Sequence, residues 1–135
     1  MVKAGSGVRI VTSQVTESRS PSGLPMRHLV DASIGSLELF VAQQSLEPGE
    51  RVLRHTHPRD EVLIFLSGTG DATMAEIGIP VEAGVSLFLP AGVPHSFRNL
   101  GTTPLHVVVI FPGGAFAETT LLEPGPGVAE HGDLA

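Results

Sequence analysis

Sixteen glycines and eleven prolines cut this chain of 135 residues into pieces whose apolar runs are no longer than about five residues. No stretch sustains the 3.6-residue apolar repeat that an amphipathic helix needs. Extended segments remain, at 8–11, 26–30, 37–45, 51–55, 60–67, 70–75, 77–82, 85–89, 95–99 and 105–111. Short strands at roughly 8–12-residue spacing, parted by turn residues, predict an all-β sandwich or barrel. Within such a fold Gly49, Gly68, Gly84 and Gly92 read as turn residues, and Pro90 and Pro94 fix the turn before 95–99.

The chemistry is concentrated between residues 49 and 99. His55 and His57 are two positions apart, which puts both on one face of an extended strand but about 200° apart on a helix. Pro58 breaks the run, so the chain can turn and bring Glu61 back beside them. His95 opens a further short run after the turn at 90–94. Three imidazoles and one carboxylate form a mixed nitrogen and oxygen set suited to a borderline divalent metal. His28, His106 and His131 have no partner at ligand spacing and read as ordinary surface or core histidines. His106, which shares its strand side with Val108 and Ile110, is a weak candidate for a catalytic or pocket-lining role.

The segments Gly49-x5-His55-x-His57-x3-Glu61-x6-Gly68 and Gly84-x5-Pro90-x-Gly92-x2-His95-x3-Asn99 resemble, in order, the two motifs of the cupins. The resemblance covers the central half of the chain and fills every anchor position. It implies a double-stranded β-helix, or jelly-roll barrel, with a metal inside one mouth. The chain then reads as one domain over 1–135: barrel core at about 37–111, N-terminal strands within 8–30, and a C-terminal tail over 112–135. His55, His57, Glu61 and His95 are implied as ligands to one divalent ion per chain. Iron or manganese is favoured by the carboxylate, with nickel, zinc and copper open. Four protein ligands around an octahedral ion leave two neighbouring positions for water, substrate or dioxygen. Asn99 is expected to satisfy backbone groups at a strand end.

Period-two alternation nominates pocket walls. Leu63 and Phe65 share a face with Glu61, and Phe97 shares one with His95. Gln43 and Gln44 lie on opposite faces, so one of them looks into the barrel. In the tail, Phe116 and the pair Leu121 and Leu122 are suited to pack on the barrel or on a partner.

Composition narrows the partners. Fourteen acidic against eight basic residues give a net charge of −6, and no basic run exceeds one residue, so no nucleic-acid partner is expected. No membrane span or apolar leader is found and there is no cysteine, so cytoplasmic residence is the default expectation. The absence of tyrosine and tryptophan removes phenol acid–base chemistry.

Cupins host many reactions, so the fold leaves the function open. The expectation is a metal-dependent oxidoreductase resembling the small dioxygenase-like cupins and acting on a small organic molecule. The alternatives are a non-redox isomerase or lyase using the ion as Lewis acid, and a non-catalytic binding barrel. A homodimer is implied by the resemblance, through an outer sheet face or by exchange of N-terminal strands at 8–11 and 26–30.

Overall fold

The computed structural model describes residues 7–127. Its strands are β1 (Glu17–Arg19), β2 (Pro25–Val30), β3 (Leu39–Leu46), β4 (Arg51–Thr56), β5 (Glu61–Ser67), β6 (Thr69–Met74), β7 (Ile77–Glu82), β8 (Ser86–Leu89), β9 (His95–Asn99), β10 (Leu105–Pro112) and β11 (Thr120–Leu121). They form two antiparallel sheets, β1-β2-β3-β10-β5-β8 and β11-β4-β9-β6-β7. This is the jelly-roll barrel expected for a cupin. No helix among the described residues is long and apolar enough to cross a membrane.

The core follows from alternation. Along β10, Leu105, Val107, Val109 and Phe111 are buried, while His106, Val108 and Ile110 between them face outward. Along β3 the inward set is Phe40, Ala42, Gln44 and Leu46. β10 lies between β3 and β5 with Val109 opposite both Ala42 and Leu63, so these inward rows stack across the sheet. Each fully buried leucine, valine or phenylalanine contributes about 1.5–3 kcal/mol of transfer free energy.

Most strand positions agree with the sequence reading to within two residues; the departures have physical causes. Residues 8–11 form no strand. The chain that follows makes a 3-10 turn at Thr12–Gln14, and the carbonyls of Thr12, Ser13 and Val15 accept from the Arg27 guanidinium instead of joining a ladder. The third strand begins at Leu39 and not at residue 37. Asp31 caps a turn at Ala32–Ile34 through the Ser33 N–H, and Ser36 Oγ donates to the Leu39 carbonyl, which holds the chain in a bend and leaves Leu37 exposed. In the tail, β11 is a strand that no periodicity announced. Residues 1–6 and 128–135, which include His131 and the ends of the predicted tails, lie outside the described residues.

At the end of the barrel away from the histidines, β6 passes so close to β9 that a methyl at Gly70 would collide with the Arg98 carbonyl oxygen. Only glycine lets the two backbones meet there.

Candidate metal centre

β4 delivers His55 through a bulge. Its register with β9 runs Arg51↔Arg98 and Val52↔Phe97, then shifts to His55↔His95. Leu53 and Arg54 thus oppose Ser96 alone, and Val52 and His55, three residues apart, both point into the barrel. An uninterrupted strand would have turned His55 to the outside. The displaced backbone groups are satisfied from far along the chain. The Leu53 N–H donates to Ser22 Oγ at 2.9 Å, the Arg54 N–H to the Glu123 carboxylate at 2.7 Å, and the Leu122 N–H to the Arg54 carbonyl at 2.9 Å. Glu123 is itself paired with Arg51, whose hydrogen bonds hold its pKa below the usual carboxylate value.

His57 follows β4 in the turn, where its carbonyl accepts from the Gly92 N–H at 2.8 Å. Glu61 opens β5 and His95 opens β9. All four side chains are buried, between 3% and 6% exposed, and their ligand atoms lie within 4.8 Å of one another.

The protonation pattern is set by the backbone. His55 Nδ1 is 2.5 Å from the Leu53 carbonyl, His57 Nδ1 is 2.9 Å from that of Glu118, and His95 Nδ1 is 2.9 Å from that of Val93. A carbonyl can only accept, so each Nδ1 carries the proton and each Nε2 presents a lone pair. These lone pairs face one another: His55 Nε2 lies 3.0 Å from His57 Nε2, and His95 Nε2 lies 2.9 Å from Glu61 Oε1. Glu61 Oε1 and His95 Nε2 are buried without a hydrogen-bond partner. Burial pushes the His55 pKa down to about 3, with His95 adding to the effect, so this imidazole is neutral near pH 7. Burial lowers His57 as well, opposed in part by the Glu61 carboxylate. Four convergent acceptors with no proton between them are what a divalent cation requires, and Nδ1–H···O=C anchoring is the usual support for metal-binding histidines.

Above the ligands is a narrow cavity. Its volume is about 20 Å³, within an unfilled region of about 360 Å³ that includes the mouth. Gln44, Leu63 and Phe97 line it, as alternation suggested. Gln43 faces outward on β3 and Phe65 does not reach the cavity. Phe65 is buried behind the wall with its ring edge-on to Phe97 at 5.5 Å. His106 also lies on the outer face, where its Nδ1 meets Ser45 Oγ at 2.8 Å, which removes it as a pocket or catalytic residue. The sequence reading missed the tail's share of the site. Phe116 packs against His57, Phe40 and Phe111, and Glu118 and Thr119 contact the His57 ring nitrogen. The sequence suits Phe116 to pack on the barrel, but nothing in its spacing ties it to His57.

Comparison with known proteins agrees with this geometry. The cupin domain model matches residues 42–111, just over half of the 135. The tetracenomycin polyketide synthase protein TcmJ of Streptomyces glaucescens is 29% identical over 104 residues, covering 76% of this chain and 70% of its own. The polyketide cyclase RemF of Streptomyces resistomycificus superposes with a TM-score of 0.77 at 18% identity, over 90% of this chain and 89% of that one. The oxalate decarboxylase of Bacillus subtilis, described with Mn(II) centres, gives a TM-score of 0.73 at 22% identity over 87% of this chain and 33% of the decarboxylase. The two-motif barrel, its inward His55, His57, Glu61 and His95 and the matching family model all agree, and the chain belongs to the cupin family.

Proposed function

We propose that this cupin is a metal-dependent enzyme acting on a small, largely apolar molecule rich in keto or enol oxygens, with ring closure of a polyketide-type chain as the leading reaction class. The convergence of three anchored Nε2 lone pairs and the Glu61 carboxylate beneath an apolar cavity carries the reading. Bound there, a divalent ion would supply Lewis-acid polarisation of a substrate oxygen.

The chain's own residues set the limits. Apart from His55, His57, Glu61 and His95, the described residues of the cavity wall include no titratable side chain; the polar members among them are Gln44, Thr119, Ser20 and Ser22. Chemistry that needs a separate general base lacks a candidate. A substrate whose proton is already acidic, as between two carbonyls, can give it up to solvent and enter as its enol or enolate, so no base in the wall is required. Met26, Val52, Leu63, Phe97, Val109 and Phe116 exclude water and favour an apolar body. The names of the relatives TcmJ and RemF point to the same class of molecule. The dioxygenase reading ranks second, favoured by the same ligand set, which also suits iron or manganese.

The test is to load the protein with zinc, manganese or iron and supply an aromatic poly-β-ketone under air and under argon. Metal-dependent loss of water from the substrate in both atmospheres is expected. Turnover that consumes oxygen and stops under argon would replace ring closure with oxygenation.

We further propose a homodimer formed through the outer face of the larger sheet. Val62, Ile64, Val108 and Ile110 are half-buried there, beside the exposed Leu66 and Phe88. Strand exchange is the weaker route, since residues 8–11 form no strand and β2 pairs within its own chain. Light scattering is expected to give twice the chain mass, and Phe88→Glu to halve it; a wild-type monomer at micromolar concentration would overturn the assignment.

A further inference from the structure

Gln44 is the one polar residue on the inward face of β3. Phe40, Ala42 and Leu46 beside it are 0% exposed, and Gln44 itself is 3% exposed. Its neighbours across the sheet are Met26 on β2 and Val107 on β10, neither of which offers a side-chain partner. The amide lines the cavity that holds the four ligands and has no hydrogen-bond partner among the described residues. The side chain as a whole is buried, yet its amide atoms open onto the cavity, so what pairs with them is whatever occupies the cavity.

A second observation concerns charge. Among the described residues, no lysine or arginine lines this cavity. A divalent ion with Glu61 as its one anionic ligand leaves a single positive charge, enough to balance one negative oxygen. A dianion would bring a second charge into an apolar wall with no counter-charge, at a large desolvation cost.

We propose that Gln44 is the specificity residue of the pocket: its amide hydrogen-bonds a second oxygen of a neutral or singly charged dioxygenated substrate, and the pocket discriminates against small dicarboxylates. The amide both donates and accepts, so it can hold either the keto or the enol form of that oxygen. The proposal rests on the metal reading given above and narrows the substrate class at that same site.

The experiment uses the full chain loaded with zinc, which is redox-silent, and two probes, 1-phenylbutane-1,3-dione and oxalate. Metal content is measured by elemental analysis, folding by thermal melting, and probe affinity by calorimetry. Wild type is expected to bind the diketone more tightly than oxalate. Gln44→Leu should keep its zinc and its fold yet lose roughly 10–100-fold in diketone affinity, with oxalate binding unmoved. Gln44→Glu should lose at least as much, because a carboxylate opposes an enolate. Equal diketone affinity in wild type and Gln44→Leu, tighter oxalate binding, or no diketone binding by wild type would each overturn the proposal. If wild type takes up no zinc, the metal reading falls separately. The titration is then repeated on metal-free protein, where a Gln44-dependent affinity upholds the role of the amide and equal affinities end it.

Discussion

Glu61→Gln is expected to weaken metal binding at least about 100-fold while raising the melting temperature of the metal-free protein. The two effects have one origin. The Glu61 carboxylate oxygen faces the lone pair of His95 Nε2 at 2.9 Å, and neither atom has a hydrogen-bond partner within the protein. A glutamine of the same shape can turn its NH₂ toward that lone pair and make the missing hydrogen bond. Satisfying two buried acceptors in this way contributes about 1–3 kcal/mol. For a chain of this size that is a rise of roughly 3–10 °C. The same change removes the one anionic ligand, so the ion is held by neutral donors alone. The competing description is a buried ion pair between a protonated His95 and Glu61, and it predicts the opposite sign. Removing one partner of such a pair costs roughly 3–5 kcal/mol. Melting curves with and without chelator, together with metal content, therefore separate the two. A metal-free Glu61→Gln protein that melts lower than metal-free wild type would count against a cation site. In wild type, chelation should lower the melting temperature, since an ion at 100 times its dissociation constant stabilises the fold by about 2.7 kcal/mol.

The four ligands were legible because their signal is local. The His55 and His57 pair, the break at Pro58 and the turn before His95 each act within a few residues. The mechanism that aims His55 was not legible. It needs a bulge opposite Ser96 whose N–H groups are taken by Ser22 and Glu123, one some 30 residues before β4 and the other about 70 after. Read as a plain strand, the segment put His55 and His57 on one face, which is the right outcome reached without the bulge.

Period-two alternation also has a blind coordinate, depth along the strand. Leu63 and Phe65 share a face, yet Leu63 borders the cavity and Phe65 sits behind it. His106 was misplaced for another reason. Both faces of β10 are apolar, so company with Val108 and Ile110 did not reveal which side is the core. The glutamine pair shows the method at its proper limit. Alternation required one of Gln43 and Gln44 to face inward, and the packed neighbours Phe40, Ala42 and Leu46 decide for Gln44.

Asn99→Ala is expected to cost roughly 3–5 kcal/mol of folding stability and to leave the metal site of the surviving folded protein unchanged. Asn99 is 1% exposed and uses its whole amide. Nδ2 donates to the carbonyls of Leu46 at 2.9 Å and Thr103 at 2.8 Å, and Oδ1 accepts from the Gly101 N–H at 2.8 Å. Its backbone also pairs with Glu50 and Gly49. One side chain thus ties the end of β3, the end of β9 and the turn that feeds β10, as the end-of-strand reading anticipated. Alanine would remove the side-chain partner of two carbonyls and one N–H, the Leu46 carbonyl deep in the fold among them, and each lost bond costs about 1 kcal/mol or more. Asn99→Asp should be no better, because it keeps the acceptor, loses both donors and aims a charge at two carbonyl oxygens. His95 sits at the other end of β9, about 13 Å away at the usual strand rise, so zinc stoichiometry in the folded fraction should not move. Urea unfolding followed by circular dichroism reads the first quantity and elemental analysis the second. A loss below about 1 kcal/mol would mean that water replaces the amide and the tie is dispensable. A loss of metal without loss of stability would mean that Asn99 positions His95 along the strand, and the two ends of β9 would then have to be treated as one unit.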